Sequence, residues 1–163
     1  MIDFKRLLSA LGNSKVEFVI IGGVAGTLHG SARLTADLDI VYARSKENIR
    51  RLVAALAPLH PYLRGAPPGL PFHFDAETVR AGLNFKLITD AGPLDVLGEI
   101  AGGFDYEVVR RRSIIVELYK NRCRVIDLDA LIETKLAAGR PKDLEVIAEL
   151  EVIREERESQ PPS

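Results

Sequence analysis

The chain has 163 residues, of which 47% are hydrophobic and 28% charged, and its formal net charge is −1. This length and composition are typical of one soluble globular domain with a sizeable core. The small net charge excludes a global electrostatic attraction to nucleic acid or to an anionic membrane, so any such contact must come from a local patch. The single Cys123 excludes an internal disulfide and permits a reducing compartment.

The sequence carries no signal for export or for membrane insertion. Its first residues lack the basic-then-apolar order of a signal peptide. No apolar run approaches the roughly 18 residues that a membrane-spanning helix needs. We therefore expect a cytoplasmic protein without a membrane partner, folded as a single domain over residues 1–157 and ending in a flexible tail over residues 158–163.

The first half of the chain alternates helical and strand patterns up to a proline-rich segment. Apolar spacing and β-branched runs predict a helix over residues 2–11, a strand over 16–21, a turn into a short helix over 22–29, a strand over 38–42 and a helix over 46–56. Five of the nine prolines then fall within residues 58–71, a density that excludes regular structure. This segment is either a substrate rim or a plain surface connection.

The second half predicts two hairpins followed by helices. The pattern indicates strands over residues 85–89 and 94–97, a short helix over 104–111, strands over 114–118 and 122–126, a helix capped by Asp127 or Asp129 and ending at 138, and a last helix over 141–157. Hairpins mixed with helices in this order predict an α+β fold, in which helices pack on a mixed sheet.

Two carboxylates on the second predicted strand are the strongest candidates for chemistry. Asp37 and Asp39 lie two residues apart and therefore project from the same face of a strand, while Leu38 and Ile40 point into the core. Two neighbouring carboxylates repel each other unless a cation joins them, and Mg²⁺ prefers such oxygen ligands. Asp95, inside another apolar run, would complete the site. The alternative is that Asp37 and Asp39 are solvated residues on an edge strand.

The double glycine upstream of these acids favours phosphate binding. Gly22 and Gly23 end a buried strand and begin a helix, where backbone amides are free and a phosphate can approach closely. They also suit a tight strand-to-helix turn, and both interpretations can hold. Thr27 either adds a hydroxyl to the site or is a simple helix residue. Arg33 either reaches a phosphate or neutralises the acids.

A dinucleotide-binding fold is the rival interpretation of the same glycines. Counted from Gly22, the pattern G-x-G-x-x-G requires glycine at positions 24 and 27, which are Val24 and Thr27. The rival also leaves the spacing of Asp37 and Asp39 without an explanation. Together these residues favour phosphoryl or nucleotidyl transfer over dinucleotide binding.

Basic residues near the C-terminus are a second candidate for phosphate contacts. Lys135 lies at the margin of an apolar helical stripe, so its side chain either extends into solvent or points into a polar cleft. Arg140 and Lys142, next to Asp143, form either a phosphate-binding cluster or a salt bridge at a helix connection. Basic residues within 110–124 either hold a nucleic-acid acceptor or form a solvated face.

These motifs resemble the nucleotidyltransferase superfamily of DNA polymerase beta. Its signature combines a double glycine, an Asp-x-Asp pair about a dozen residues later and a third Asp on a later strand. The pattern is closer to small nucleotidyltransferases related to the abortive-infection type IV toxins. The matching residues are Gly22-Gly23, His29-Gly30, Arg33-x-Thr35-x-Asp37-x-Asp39, Asp95, Lys135, Arg140 and Lys142-Asp143.

The resemblance implies a mostly antiparallel nucleotidyltransferase-type sheet and assigns roles to residues. It implies that Asp37 and Asp39 bind two metal ions, Mg²⁺ or Mn²⁺, and that Asp95 binds the catalytic one. Gly22 and Gly23 would cradle the triphosphate of an NTP, with Lys135 and Arg140 as secondary nucleotide contacts. Many members carry a serine in the place of Gly23, so backbone amides or Thr27 would have to substitute for its hydroxyl.

Two functions are compatible with this resemblance. The first is the metal-dependent transfer of a nucleoside monophosphate from an NTP to a hydroxyl on RNA or protein, in the context of a toxin–antitoxin system. The second is a non-catalytic protein of the same fold, which binds a nucleotide or serves as a toxin–antitoxin partner. The sequence contains no pattern that specifies the base of the nucleotide.

Overall fold

The computed structural model describes residues 2–160. These residues form seven helices: α1 (Phe4–Asn13), α2 (Gly22–Leu28), α3 (Lys46–Leu56), α4 (Ala76–Ala81), α5 (Tyr106–Arg111), α6 (Leu128–Ala138) and α7 (Asp143–Ser159). They also form nine strands: β1 (Phe18–Ile21), β2 (Leu38–Tyr42), β3 (Tyr62–Leu63), β4 (Asn84–Thr89), β5 (Gly92–Leu97), β6 (Glu99–Ile100), β7 (Phe104–Asp105), β8 (Ser113–Leu118) and β9 (Asn121–Ile126).

Seven of these strands build one mixed sheet in the order β3-β4-β5-β2-β1-β9-β8. Within the described residues, four neighbouring pairs of this sheet are antiparallel, whereas β2–β5 and β1–β9 are parallel. The predicted α+β class with a mixed, mostly antiparallel sheet is therefore confirmed. Strands β6 and β7 form a separate small ladder.

The centre of the sheet is covered on both faces. Successive residues of a strand point to opposite faces, and the neighbours Val19 and Ile20 in β1, like Ile40 and Val41 in β2, are all fully buried. Helix α2 packs on β1 and β2 and contacts α6, which in turn packs on α7. Helix α2 therefore begins directly at the end of β1, next to the two central strands, with Gly22 half-buried and Gly23 exposed.

The proline-rich segment contains regular structure, contrary to the prediction for residues 58–71. A 3₁₀ turn covers Ala57–Leu59, and β3 pairs with β4 at the edge of the sheet. Prolines are tolerated at such an edge, where a missing N–H leaves no ladder bond broken. Pro61 lies directly before β3, and no proline lies within it.

Three helices differ from their predicted bounds or were not predicted. The predicted helix over 104–111 begins only at Tyr106, because Asp105 caps it and accepts a hydrogen bond from Val108 N. Helix α4 was not predicted. Helix α7 begins two residues later than predicted and includes residues 158 and 159, which the sequence assigned to the tail. Residues 161–163 of that tail lie outside the described residues.

Helix α7 is attached to the core through the buried His29. The ring Nε2 lies 2.7 Å from Ile126 O, and Arg157 Nη2 of α7 lies 3.2 Å from Nδ1 and donates to His29 O at 3.0 Å. The side chain thus joins α2, β9 and α7. In residues 2–160, no helix has the length and apolar character needed to cross a membrane.

Candidate active site

The parallel pairing of β2 and β5 brings the three predicted acids together. Asp39 lies directly opposite Asp95 in the register of the two strands, and Asp37 lies one residue before β2. One carboxylate oxygen of each acid lies within 4.8 Å of the corresponding oxygens of the other two. Leu38 and Ile40 are fully buried, as the strand pattern predicted, so the acids project together from the sheet.

The electrostatics of this triad depend on Asp39. Burial, together with the negative charges of Asp37 and Asp95, raises the pKa of Asp39 from 3.8 to about 7. Asp39 Oδ1 is buried, and no group of residues 2–160 gives it a hydrogen bond. A buried acceptor without a partner is unfavourable, so this oxygen is oriented for a ligand.

The donor set suits a divalent cation. The site offers three carboxylates with converging oxygens, one of them unpaired, and hard cations such as Mg²⁺ and Mn²⁺ take such oxygen ligands. A cation would also offset the repulsion between the three carboxylates. That repulsion is, after burial, the second cause of the raised pKa of Asp39. The residues present therefore fit the metal that the sequence pattern suggested.

Gly22 allows the first turn of α2 to lie directly against Asp39. Its φ of +67° is in the left-handed region, and a Cβ on it would overlap Asp39 Oδ2. At Gly23, a Cβ would lie 2.9 Å from Thr35 Oγ1, so the Thr35 hydroxyl lies over the site that a side chain at 23 would fill. Gly22 is therefore needed for the close approach of the strand-to-helix turn to Asp39, whereas Gly23 leaves room for Thr35.

Lys135 and Arg140 converge on a buried carboxylate. The Asp143 side chain is only 4% exposed; Arg140 Nε lies 2.8 Å from its Oδ2, and Lys135 Nζ lies 3.8 Å from its Oδ1. The Lys135 side chain is 15% exposed, so it points inward rather than into solvent. Burial lowers the pKa of Lys135, while the charges of Asp143 and Asp39 oppose that shift. Lys135 is therefore close enough to the triad to interact with it electrostatically.

Arg64, which follows β3, is a site residue that was not predicted. Its Nη2 contacts Asp95 Oδ1, and its Nη1 lies 3.7 Å from Asp37 Oδ2. It lies in the proline-rich segment, where no strand was predicted, so nothing indicated that it would reach the centre of the sheet. The signal that could have found it is the apolar pair Tyr62-Leu63, an edge strand that carries the next residue towards β5.

A cleft is lined in part by the residues that precede Asp37. Its volume is about 510 Å³, and Ile2, Leu34, Thr35, Ala36 and Pro93 line it. Thr35 and Ala36 directly precede Asp37, and the Leu34 side chain is fully exposed. The cleft thus offers apolar walls next to a strongly acidic centre.

The fold is shared with nucleotidyltransferases of known structure. No protein-family model and no curated protein sequence matches the chain. A proposed nucleotidyltransferase from Thermotoga maritima superposes with a TM-score of 0.58 at 18% identity, over 91% of this chain and 94% of that chain. The aminoglycoside nucleotidyltransferase ANT(2″)-Ia, solved in complex with adenylyl-2″-tobramycin, gives a TM-score of 0.54 at 17% identity, over 96% of this chain and 95% of that chain. The chain has the nucleotidyltransferase fold.

The superfamily prediction is thus confirmed at the level of the fold. At these identities the likeness concerns the architecture alone, so the roles of individual residues stay predictions. The closer resemblance to the abortive-infection toxins also stays a prediction.

Two residues that were predicted as candidate phosphate contacts, Arg33 and Thr27, contact other residues of the chain. Arg33 pairs with Glu145 at 3.4 Å and Glu149 at 3.6 Å, both on α7, rather than with the acids. The Thr27 hydroxyl donates to Gly23 O at 3.1 Å. Ser31 Oγ also donates to Glu149 at 2.6 Å, so α7 holds the loop that leads into β2.

The close approach at Gly22 predicts a specific loss of stability. Gly103 has a comparable φ of +76° but open space around the site of a Cβ, so Gly103→Ala isolates backbone strain. We expect Gly103→Ala to lower the free energy of unfolding by about 1 kcal/mol. We expect Gly22→Ala to lower it by about 2 kcal/mol more, because the methyl group also displaces Asp39. Urea denaturation measures both values, and equal losses would contradict the assigned contact.

The raised pKa of Asp39 predicts how the stability of the metal-free protein depends on pH. The folded protein holds this proton between 3.8 and about 7, where the unfolded chain has lost it. The contribution is therefore complete below 3.8 and is lost as the pH rises through about 7. Its slope is at most about 1.4 kcal/mol per pH unit.

Urea denaturation in EDTA at several pH values between 5 and 8 tests this. The free energy of unfolding of the wild type should fall with rising pH relative to Asp39→Asn, in which this group cannot titrate. Since other titrating groups are common to both proteins, parallel pH profiles would show that Asp39 keeps an ordinary pKa.

Proposed function

We propose that the chain is a metal-dependent nucleotidyltransferase that moves a nucleoside monophosphate from an NTP to a hydroxyl on RNA or protein. The observation that carries the proposal is the convergence of Asp37, Asp39 and Asp95 beside the first turn of α2 in a nucleotidyltransferase fold. A role as a cytoplasmic toxin–antitoxin component is part of the proposal and rests on the sequence motifs.

The acids and the metal divide the chemistry between them. Mg²⁺ or Mn²⁺, held by Asp37, Asp39 and Asp95, would stabilise the charge of the transferred phosphoryl group and make the acceptor hydroxyl more acidic. The β2–β5 pairing fixes the backbone of Asp39 against that of Asp95, so the strands already place these two ligands side by side. The tight fit of Gly22 on Asp39 holds the carboxylate from the other side.

The start of α2 and the basic cluster would bind the triphosphate. The first amides of a helix lack intrahelical partners, and in α2 they begin at Gly22, next to the acids. A triphosphate near three carboxylates also needs cationic groups from the protein. Lys135 is partly buried and close enough to Asp39 to interact with its charge, while Asp143 holds both Lys135 and Arg140 in place.

The cleft beside Asp37 is the proposed place for the acceptor. It includes Thr35 and Ala36, which directly precede Asp37, and is large enough for a group of moderate size, with apolar walls formed by Ile2, Leu34 and Pro93. Transfer to a hydroxyl agrees with the adenylyl-2″-tobramycin bound to one structural neighbour. A polymeric acceptor with one exposed hydroxyl would reach this open edge.

One observation favours a second candidate, a non-catalytic nucleotide-binding or partner protein. Arg64 already pairs with Asp95 and Asp37, so part of the charge of the triad is neutralised by the protein itself. If that pairing persisted with nucleotide bound, the chain would bind a ligand or partner without turning over an NTP.

A transfer assay separates the two candidates. The protein is incubated with each of the four α-labelled NTPs, Mg²⁺ and total RNA or protein, and label transfer and pyrophosphate release are measured. We expect Asp37→Asn and Asp39→Asn to lower transfer at least about a hundredfold, because each loses a charge that acts on the transition state. Asp129→Asn, on an exposed acid that pairs with Arg154 on the surface, is the matched control.

Circular dichroism checks that the variants fold. If both Asp37→Asn and Asp39→Asn transfer label at the rate of the wild type, the catalytic proposal is refuted. Nucleotide binding without transfer to any acceptor would favour the non-catalytic candidate.

A further inference from the structure

Arg64 lies where a cation bound by the triad would compete with it. Its guanidinium spans two of the three acids, with Nη2 on Asp95 Oδ1 and Nη1 3.7 Å from Asp37 Oδ2. Asp39 Oδ1, by contrast, has no partner in the described residues. The protein thus provides an internal cation for Asp37 and Asp95 but leaves Asp39 uncompensated on that side.

We infer that Arg64 is a positioning residue that competes with the divalent cation for Asp37 and Asp95. The inference rests on the proposed metal-dependent function. Two cations that share the same carboxylates repel each other, and each acid oxygen engaged by the guanidinium has less negative charge to offer a metal. Arg64 therefore weakens the binding of the metal alone and bridges Asp37 and Asp95 until a metal takes its place.

The attachment of Arg64 allows this exchange without unfolding its strand. The backbone N–H of Arg64 donates to Lys86 O at 2.9 Å, which fixes the main chain to β4. The guanidinium also donates to Leu87 O, at 3.0 Å from Nη2 and 3.3 Å from Nε. Gly65, the next residue, has open space around the position of a Cβ, so the chain directly after Arg64 is not packed against the core. The guanidinium can leave the acids while the strand keeps its ladder.

The segment that follows Arg64 is held by contacts of Tyr62 that do not involve the guanidinium. The Tyr62 hydroxyl donates to Pro67 O at 2.5 Å and accepts from Leu70 N at 3.2 Å, and its ring packs edge-on against Phe72. The turn that follows the arginine is thereby organised around Tyr62 rather than around the guanidinium. A change at position 64 should therefore act on the acids without loosening the turn.

The test measures the binding of Mn²⁺ alone, and the electron paramagnetic resonance signal of the free ion reports how much is bound. The samples are the full wild-type chain, Arg64→Gln and Arg44→Gln. Arg44 is a matched control, because its guanidinium also donates to backbone carbonyls, Val79 O at 3.3 Å and Arg80 O at 3.1 Å, but contacts none of the three acids. Arg64→Met, which keeps the bulk of the stem, serves if Arg64→Gln does not fold.

We expect Arg64→Gln to bind Mn²⁺ about tenfold more tightly than the wild type, a coupling of the size common between interacting sites, and Arg44→Gln to bind it like the wild type. A merely structural role for Arg64 would leave the affinity unchanged or weaken it, and either result overturns the inference.

Asp39→Asn in the same assay separates this inference from the proposed function. If Asp39→Asn loses the Mn²⁺ and Arg64→Gln does not bind it more tightly, the metal site stands and only the competition is refuted. If Mn²⁺ binding is the same in Asp39→Asn and in the wild type, the metal site and the competition both fail.

Discussion

The parallel pairing of β2 with β5 places Asp39 directly against Asp95, and most features of the site follow from that contact. Together with Asp37, it concentrates three carboxylates beside the two central strands of the sheet, with Asp95 buried and Asp37 partly exposed. Carboxylates at such a place repel each other and lose hydration, which is why the pKa of Asp39 rises to about 7. A fold tolerates this arrangement when cations or ligands can compensate the charge.

The protein supplies compensation of two kinds. Lys135 is partly buried and is held by Asp143, itself almost fully buried, so its charge is a fixed part of the site. Arg64 reaches the acids from a turn at the edge of the sheet, and its side chain is attached to the core through one backbone carbonyl. The fixed position of Lys135 suits a permanent contact with phosphate. The guanidinium of Arg64, by contrast, can leave the acids when a metal binds to them.

Local patterns predicted much of this fold, and long-range contacts account for what they missed. The strand over residues 38–42 and the helix over residues 46–56 were predicted at their observed bounds, because the alternation of apolar residues and the Ser45 cap are local signals. The three acids were likewise recognisable, although nothing local specified that β2 pairs with β5. The pairing of Arg33 with α7 could not be predicted, because Glu145 and Glu149 lie far away in the chain. Arg64 was missed because the prolines obscured the strand that directly precedes it.

Calorimetric binding of each NTP, with and without Mg²⁺, is the most direct test of the central claim. The account predicts binding that requires Mg²⁺ in the wild type and is lost when Asp37 and Asp39 are both changed to Asn, with the double variant still folded. Metal-dependent binding that survives in the folded double variant would contradict it, because the nucleotide and its metal would then lie away from the acids that the β2–β5 pairing brings together.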